Sequence, residues 1–148
     1  MNSHVIEVID GEKFVDDRGG VFFVNNFMLG EYKRFYVVQN HSSNFVRAWH
    51  GHKREAKAVT VLSGTAMIAC VKVDNWDNPS KKLEINKFVL TSSNPKIVKI
   101  PEGYANGFMT LEHGTKVCFF SSSSLEDSKN DDFRFAYDYW NPWAIDFR

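Results

Sequence analysis

Short β-branched or aromatic runs recur along this chain between polar turn residues. GGVFFVNNF, YKRFYVVQN, AVTVLSG, TAMIACVKVD, INKFVLTSS, KIVKIPEG, GFMTLEHG and TKVCFFSSS are each about one strand long. Gly, Asn, Ser or Pro punctuates the joins. No window holds a 3.6-residue apolar period through a helical length. SLEDSKNDD, with Ser124 as cap, is the best candidate for a short helix, although its polarity also suits a loop. The pattern predicts an all-β fold of about eight or more antiparallel strands, which at this size means a sandwich or a jelly roll. No repeat, low-complexity tract or linker interrupts residues 1–148, so they read as a single domain. DNWDNPSKK, residues 74 to 82, reads as a surface loop. The tail DDFRFAYDYWNPWAIDFR is too aromatic for a solvated end and is expected to cover a pocket mouth or meet a second subunit.

Composition narrows the function. Lys plus Arg equal Asp plus Glu at 18 each, giving zero net charge. That leaves no electrostatic footprint for nucleic acid, and no basic run points to a membrane surface. The opening MNSHVIEVIDGEKF lacks a basic start and a long apolar segment, so no signal peptide is expected. No stretch reaches the ~20 apolar residues of a membrane span. Cys70 and Cys118 lie in apolar strand-like runs and read as buried, reduced core thiols. A cytoplasmic protein is therefore expected. Aromatics make up 15% of residues, enough to fill a core and also furnish a pocket for a flat ligand.

The chemistry concentrates in RAWHGHKREAKAVTVLSG, from Arg47 to Gly64. Side chains alternate along a strand, so His50 and His52 share a face. The spacing resembles the first motif of the cupins: two such histidines, a Glu five residues on, then a Gly seven beyond that. Here those positions hold Lys57 and Gly64. The second cupin motif, Pro-x-Gly-x-x-His, is matched by PEGYAN, with Asn106 in the histidine's place. An ammonium among the ligands repels a divalent ion and an amide is a poor soft-metal ligand, so no metal and no cofactor are expected. Burying two histidines beside a lysine and an arginine for no purpose would be costly, which favours a functional pocket.

A closer likeness covers Asp16 to Pro142. DDRGGVFF, QNHSS, RAWH followed by Lys57, IPEGYANGF and YWNP stand in the order of five segments of the dTDP-4-dehydrorhamnose 3,5-epimerases, and the chain resembles that family of metal-free cupins. The resemblance implies a jelly roll acting on a nucleotide-linked 4-keto-6-deoxy sugar for surface-polysaccharide synthesis. By position, His50 would take a proton next to the ketone, and Lys57 would stabilise the enolate. Arg47 and Arg18 would hold the diphosphate. Gln39 and Asn40 would add hydrogen bonds, Tyr104 and Asn106 would line the substrate site, and Trp140 would shelter the base or sugar. The resemblance also implies a homodimer with exchanged N-terminal strands, in which the Asp-x-Arg-Gly segment reaches the partner's pocket.

Three positions depart from the family. Phe119 stands where the family's tyrosine acid is expected, Asn141 where an acid orients the histidine, and Asn106 where a histidine stands. Inversion then has to proceed at a single centre, or the carbonyl shifts, with His52 or Tyr36 returning the proton. RAWHGHK also resembles the Arg-Gly-x-His-Ala-His-Lys of nucleotide-sugar 3,4-ketoisomerases. Epimerase, ketoisomerase and a non-catalytic sugar-nucleotide binder are the readings carried forward, with a metal-dependent cupin such as a dioxygenase as the outlying class.

Overall fold

The computed structural model describes residues 4–148. Its strands are β1 (Glu7–Asp10), β2 (Glu12–Asp16), β3 (Gly19–Phe23), β4 (Arg34–Gln39), β5 (Val46–His52), β6 (Lys57–Ser63), β7 (Thr65–Lys72), β8 (Asn86–Thr91), β9 (Lys96–Ile100), β10 (Tyr104–Thr110), β11 (Lys116–Ser121) and β12 (Phe133–Arg134). One helix, α1 (Leu125–Lys129), follows β11, and the Ser124 hydroxyl accepts from the Asp127 amide as its cap. One antiparallel sheet runs β1-β9-β6-β11-β4, a second runs β12-β5-β10-β7-β8, and β2 and β3 form a separate hairpin. This is the expected all-β jelly roll. The strands that sequence patterning passed over are β1, β2 and β12, which are short and largely exposed and so carry little apolar signal.

The apolar runs decide which faces are covered. Val59, Val61, Val98, Ile100, Val117 and Phe119 of the first sheet pack against Ala66, Ile68, Cys70 and Phe108 of the second. The alternate residues of β7, Met67, Ala69 and Val71, are buried on the opposite side, with Trp49, Trp140 and Trp143. A strand covered on both faces needs a continuous apolar run, and TAMIACVK is one. From Phe135 on, the aromatic tail therefore covers the outer face of the second sheet, whereas its first residues, Asp132 and Arg134, do border a pocket. The Trp49 indole N–H reaches the carbonyls of Tyr137 and Trp140, each at 3.0 Å. Trp140 donates in turn to the Ser80 carbonyl at 2.9 Å and so ties the tail to the 74–82 loop. Both cysteines are free and buried.

Two glycines are required by close packing. Gly64 turns the chain between β6 and β7 at φ +80°, where a Cβ would collide with Thr115. Gly107 lies against Ala48, whose Cβ occupies the space a side chain would need. At that point the β10–β5 register slips: Asn106 faces His50, whereas Phe108 faces Arg47. The extra residue on β5 is a β-bulge, which re-aims the side chains around it.

Candidate active site

Between the two sheets lies a cavity of about 360 Å³, within the usual range for small-ligand sites. The second sheet supplies Arg47, His50 and His52 from β5 and Asn106 from β10. Strict alternation would place Arg47 on the face opposite His50; the bulge brings both into the cavity. The facing wall is the first sheet, with Arg34 and Tyr36 from β4, Lys57 from β6 and Phe119 from β11. The segment from α1 to β12 closes one side with Leu125, Ser128, Lys129, Asp132 and Arg134. Five cations against Asp132 make this cavity electropositive in a chain of zero net charge.

His52 is 5% exposed. Its Nδ1 lies 2.6 Å from the Asp131 carbonyl oxygen. A carbonyl only accepts, so Nδ1 carries the proton and Nε2 is the acceptor. That Nε2 is buried and has no hydrogen-bond partner among the described residues. Asp131 holds the turn after β5, accepting from the amides of Lys53, Arg54 and Glu55 at 2.8–2.9 Å. Burial would raise its pKa, but those three donors outweigh burial and keep the carboxyl below its usual range.

Both cavity histidines are held neutral. Burial first, then the positive charges of Arg134 and Lys57, push His50 down to about 4. Burial and Lys57 lower His52 as well. Opposite them, the Lys57 ammonium is 8% exposed and points into the cavity. It donates to the Tyr36 hydroxyl at 2.6 Å and lies 5.3 and 5.6 Å from the ring centroids of Tyr36 and Phe119. Those two rings are paired across β4 and β11 and stack at 5.4 Å. An ammonium only donates, so the Tyr36 oxygen is the acceptor and its own proton is free for a ligand.

The remaining residues singled out from the sequence are dispersed. Asn40 is buried and does not line the cavity; its side-chain oxygen accepts from Arg47 Nε at 2.6 Å and so orients the guanidinium. Gln39 points outward, because Tyr36 and Val38 take the inward positions of β4. Tyr104 sits in the inter-sheet core and borders a different cleft, with Ile6 and Phe88. Trp140 is 1% exposed on the far side of the second sheet and cannot shelter a ligand in the cavity. Asn141 is exposed, and its side-chain oxygen accepts from the Trp143 amide instead of holding a histidine. Arg18 lies on the β2–β3 turn, exposed and paired with Asp16, outside this chain's cavity. Sequence reading passed over Arg34, Glu55, Lys129, Asp131, Asp132 and Arg134. Of these, Arg34 carried a signal, since it shares the inward period of Tyr36 on β4. Among the described residues, no three His, Cys, Asp or Glu side chains converge as a metal-binding group.

A family model, dTDP-4-dehydrorhamnose 3,5-epimerase, matches residues 4–138. The chain belongs to this family. A protein named probable low-salt glycan biosynthesis epimerase, from Haloferax volcanii, is 26% identical over 93% of this chain and 90% of its own length. Among solved structures, the dTDP-4-dehydrorhamnose 3,5-epimerase of Bacillus anthracis, with TDP and PPi bound, superposes with a TM-score of 0.77 at 19% identity. That match covers 96% of this chain and 86% of that one. A 3,4-ketoisomerase of Thermoanaerobacterium thermosaccharolyticum, a double mutant in complex with TDP, superposes at 0.68 and 17% identity, covering 95% and 94%. Both show the shared fold. The family match of this epimerase-family chain stops at residue 138, ahead of Tyr139–Pro142. YWNP, which Asn141 was read from, thus lies outside the family segment as well as outside the cavity.

Proposed function

We propose that the protein is a metal-independent epimerase of a nucleotide-linked, dTDP-type 4-keto-6-deoxy sugar, working through an enolate in the synthesis of a surface-glycan deoxysugar. The observation that carries this reading is the opposition of two walls: imidazoles on β5 of one sheet, a hydroxyl and an ammonium on β4 and β6 of the other. Inversion of a carbon needs a base on one side of the sugar ring and an acid on the other. His50 removes the proton beside the ketone and becomes imidazolium. The electron pair moves to the ketone oxygen, where the Lys57 ammonium stabilises the enolate. Tyr36 returns its proton from the opposite side, and solvent resets the tyrosine and the histidine. A neutral histidine is the correct starting state for a base. Arg34, Arg47, Lys129 and Arg134 receive the diphosphate, whose charge offsets the cations that depress His50 and so strengthens it as a base once substrate is bound.

The test is incubation with dTDP-4-keto-6-deoxyglucose in deuterium oxide, read by proton NMR. Expected are deuterium at a carbon next to the ketone and an inverted product, with both falling by about 10²–10⁴ in His50→Ala. Tight dTDP-sugar binding with no exchange would instead mark a non-catalytic binder. One observation favours a second reading. His50 and His52 lie on one wall, an arrangement that could pass protons along a single sugar face, as a 3,4-ketoisomerase requires. A carbonyl moved from carbon 4 to carbon 3 would select it.

The proposal includes a homodimer in the cytoplasm. Phe14, Val15, Val21, Phe22, Phe35 and Leu62 are exposed on the hairpin and on the first sheet, an apolar surface that suits burial by a second copy. Arg18, outside its own cavity, would then be free to enter the partner's. The free thiols suit a reducing compartment. A monomer mass that does not change with concentration in sedimentation would remove the dimer.

A further inference from the structure

Glu55 lies in the turn between β5 and β6 with no exposed side-chain surface, and it is absent from the cavity wall. Burying a carboxylate is costly unless its oxygens are satisfied and its charge is met. Both conditions hold. The Ser121 hydroxyl donates to Oε2 at 2.7 Å and the Ser128 hydroxyl donates to Oε1 at 2.6 Å. Lys57 Nζ is 3.7 Å from Oε2, Arg34 Nη2 is 3.9 Å from Oε2, and His52 Nδ1 is 3.7 Å from Oε1. One sealed anion thus stands behind the three basic side chains that line the reacting end of the cavity, held by hydroxyls from β11 and α1. We propose that Glu55 is a positioning residue: its carboxylate anchors the Lys57 ammonium and aims it into the cavity, without touching substrate itself.

The charges around Lys57 show why an anchor is needed. β4 presents Arg34 and the Tyr36 hydroxyl, β5 presents His50 and His52, and α1 presents Lys129. On its other flank a smaller cleft is lined by Glu7, Glu31, Tyr32, Lys99 and Glu102. Among the described residues, Glu55 is the carboxylate that forms an ion pair with Lys57. Removing that charge leaves a buried ammonium beside Arg34 and two imidazoles. It would then lose its proton at lower pH, and the enolate would lose its partner.

The inference rests on the proposed epimerase chemistry only in its kinetic arm, so the experiment has two arms. In the first, selectively ¹³C-labelled lysine is followed by NMR from pH 6 to 11 in full-length protein without substrate. Glu55→Gln, which keeps the shape and drops the charge, is expected to lower the Lys57 midpoint by about one pH unit or more. Glu55→Asp, which keeps the charge, is expected to restore most of the shift. In the second arm, deuterium exchange into dTDP-4-keto-6-deoxyglucose is measured against pH. The alkaline fall of the exchange rate should move to lower pH in Glu55→Gln by the same interval. If Glu55→Gln does not fold, Glu55→Asp alone carries the test: it draws the carboxylate back by one methylene from the 3.7 Å it keeps to Nζ, and a smaller midpoint drop in the same direction is expected. An unmoved Lys57 midpoint in the folded variant overturns the inference. A moved midpoint with no exchange even in the parent protein leaves Glu55 in its role and overturns the epimerase reading instead.

Discussion

Tyr36→Phe separates the two halves of the proposed reaction. The substitution removes one oxygen from the first-sheet wall and leaves the stack on Phe119, at 5.4 Å and 16°, unchanged in shape. It also takes the 2.6 Å acceptor from Lys57. A hydrogen bond to a charged group is worth about 1.5–3 kcal/mol. Glu55 remains 3.7 Å from the amine and stays its counter-charge, so the fold should lose no more than ~3 kcal/mol. Catalysis should suffer selectively. Proton removal needs His50 and the Lys57 ammonium, and both survive. Proton return from the opposite wall needs the lost hydroxyl, and a positioned general acid is worth about 10²–10⁴ in rate, or ~3–5 kcal/mol of barrier.

The assay follows both events in one tube by proton NMR in deuterium oxide. Wash-in of deuterium with retained configuration should stay within about tenfold of the parent rate, whereas formation of the inverted sugar should fall by about 10²–10⁴. Tyr36→Phe combined with Phe119→Tyr has the same atoms as the parent, with the hydroxyl moved across one strand pair to the position where the resemblance leads one to expect a tyrosine. It should recover part of the inversion. Undiminished inversion in Tyr36→Phe would refute the two-wall mechanism outright. Equal losses of exchange and inversion would mean that the hydroxyl serves the ammonium and donates no proton.

Two other outcomes follow from the same geometry. His50 is depressed to about 4 in the folded protein, against about 6.5 when unfolded, so the unfolded chain binds more protons between those values. Stability is therefore fully present above pH 6.5 and is lost as pH falls toward 4, with His52 adding in the same direction. Solvent at the cavity mouth screens the effect to ~1–2 kcal/mol, and urea unfolding should show a flatter pH slope for His50→Asn than for the parent. Trp140→Ala removes a 1%-exposed ring that packs edge-on against Trp49 at 5.4 Å. It should cost about 3–5 kcal/mol in denaturant unfolding. Calorimetric dTDP affinity of the folded fraction should stay unchanged; a large affinity loss would return Trp140 to the ligand site.

The sheets were legible because their signals are local. An unbroken apolar run such as TAMIACVK states that both faces of β7 are covered, and alternation in RFYVVQ states that one face of β4 is. What covers those faces is not local. The tail's aromatics announced burial, but only packing against Trp49 shows that they lie behind the second sheet. The bulge that brings Arg47 in beside His50 depends on Gly107 meeting Ala48, a contact between residues about sixty apart in sequence. The α1–β12 segment carries half of the cavity's charged rim in a polar stretch with no period to read.

The same distinction applies to the three positions that depart from the family pattern. Position by position, Phe119 stands where the resemblance leads one to expect a tyrosine. Across the β4–β11 ladder it faces Tyr36, so a phenol stands in the same wall, one strand over, with Lys57 donating to its oxygen. Likewise Asn141, read by resemblance as standing where an acid is expected, does not line the cavity, whereas carboxylates do stand close to the histidines: Asp132 on the rim and Glu55 behind the wall. Strand pairing places residues far apart in sequence within 5–6 Å of each other. A reactive group can therefore move to a paired strand, vanish from a linear comparison, and still approach the substrate from the same side.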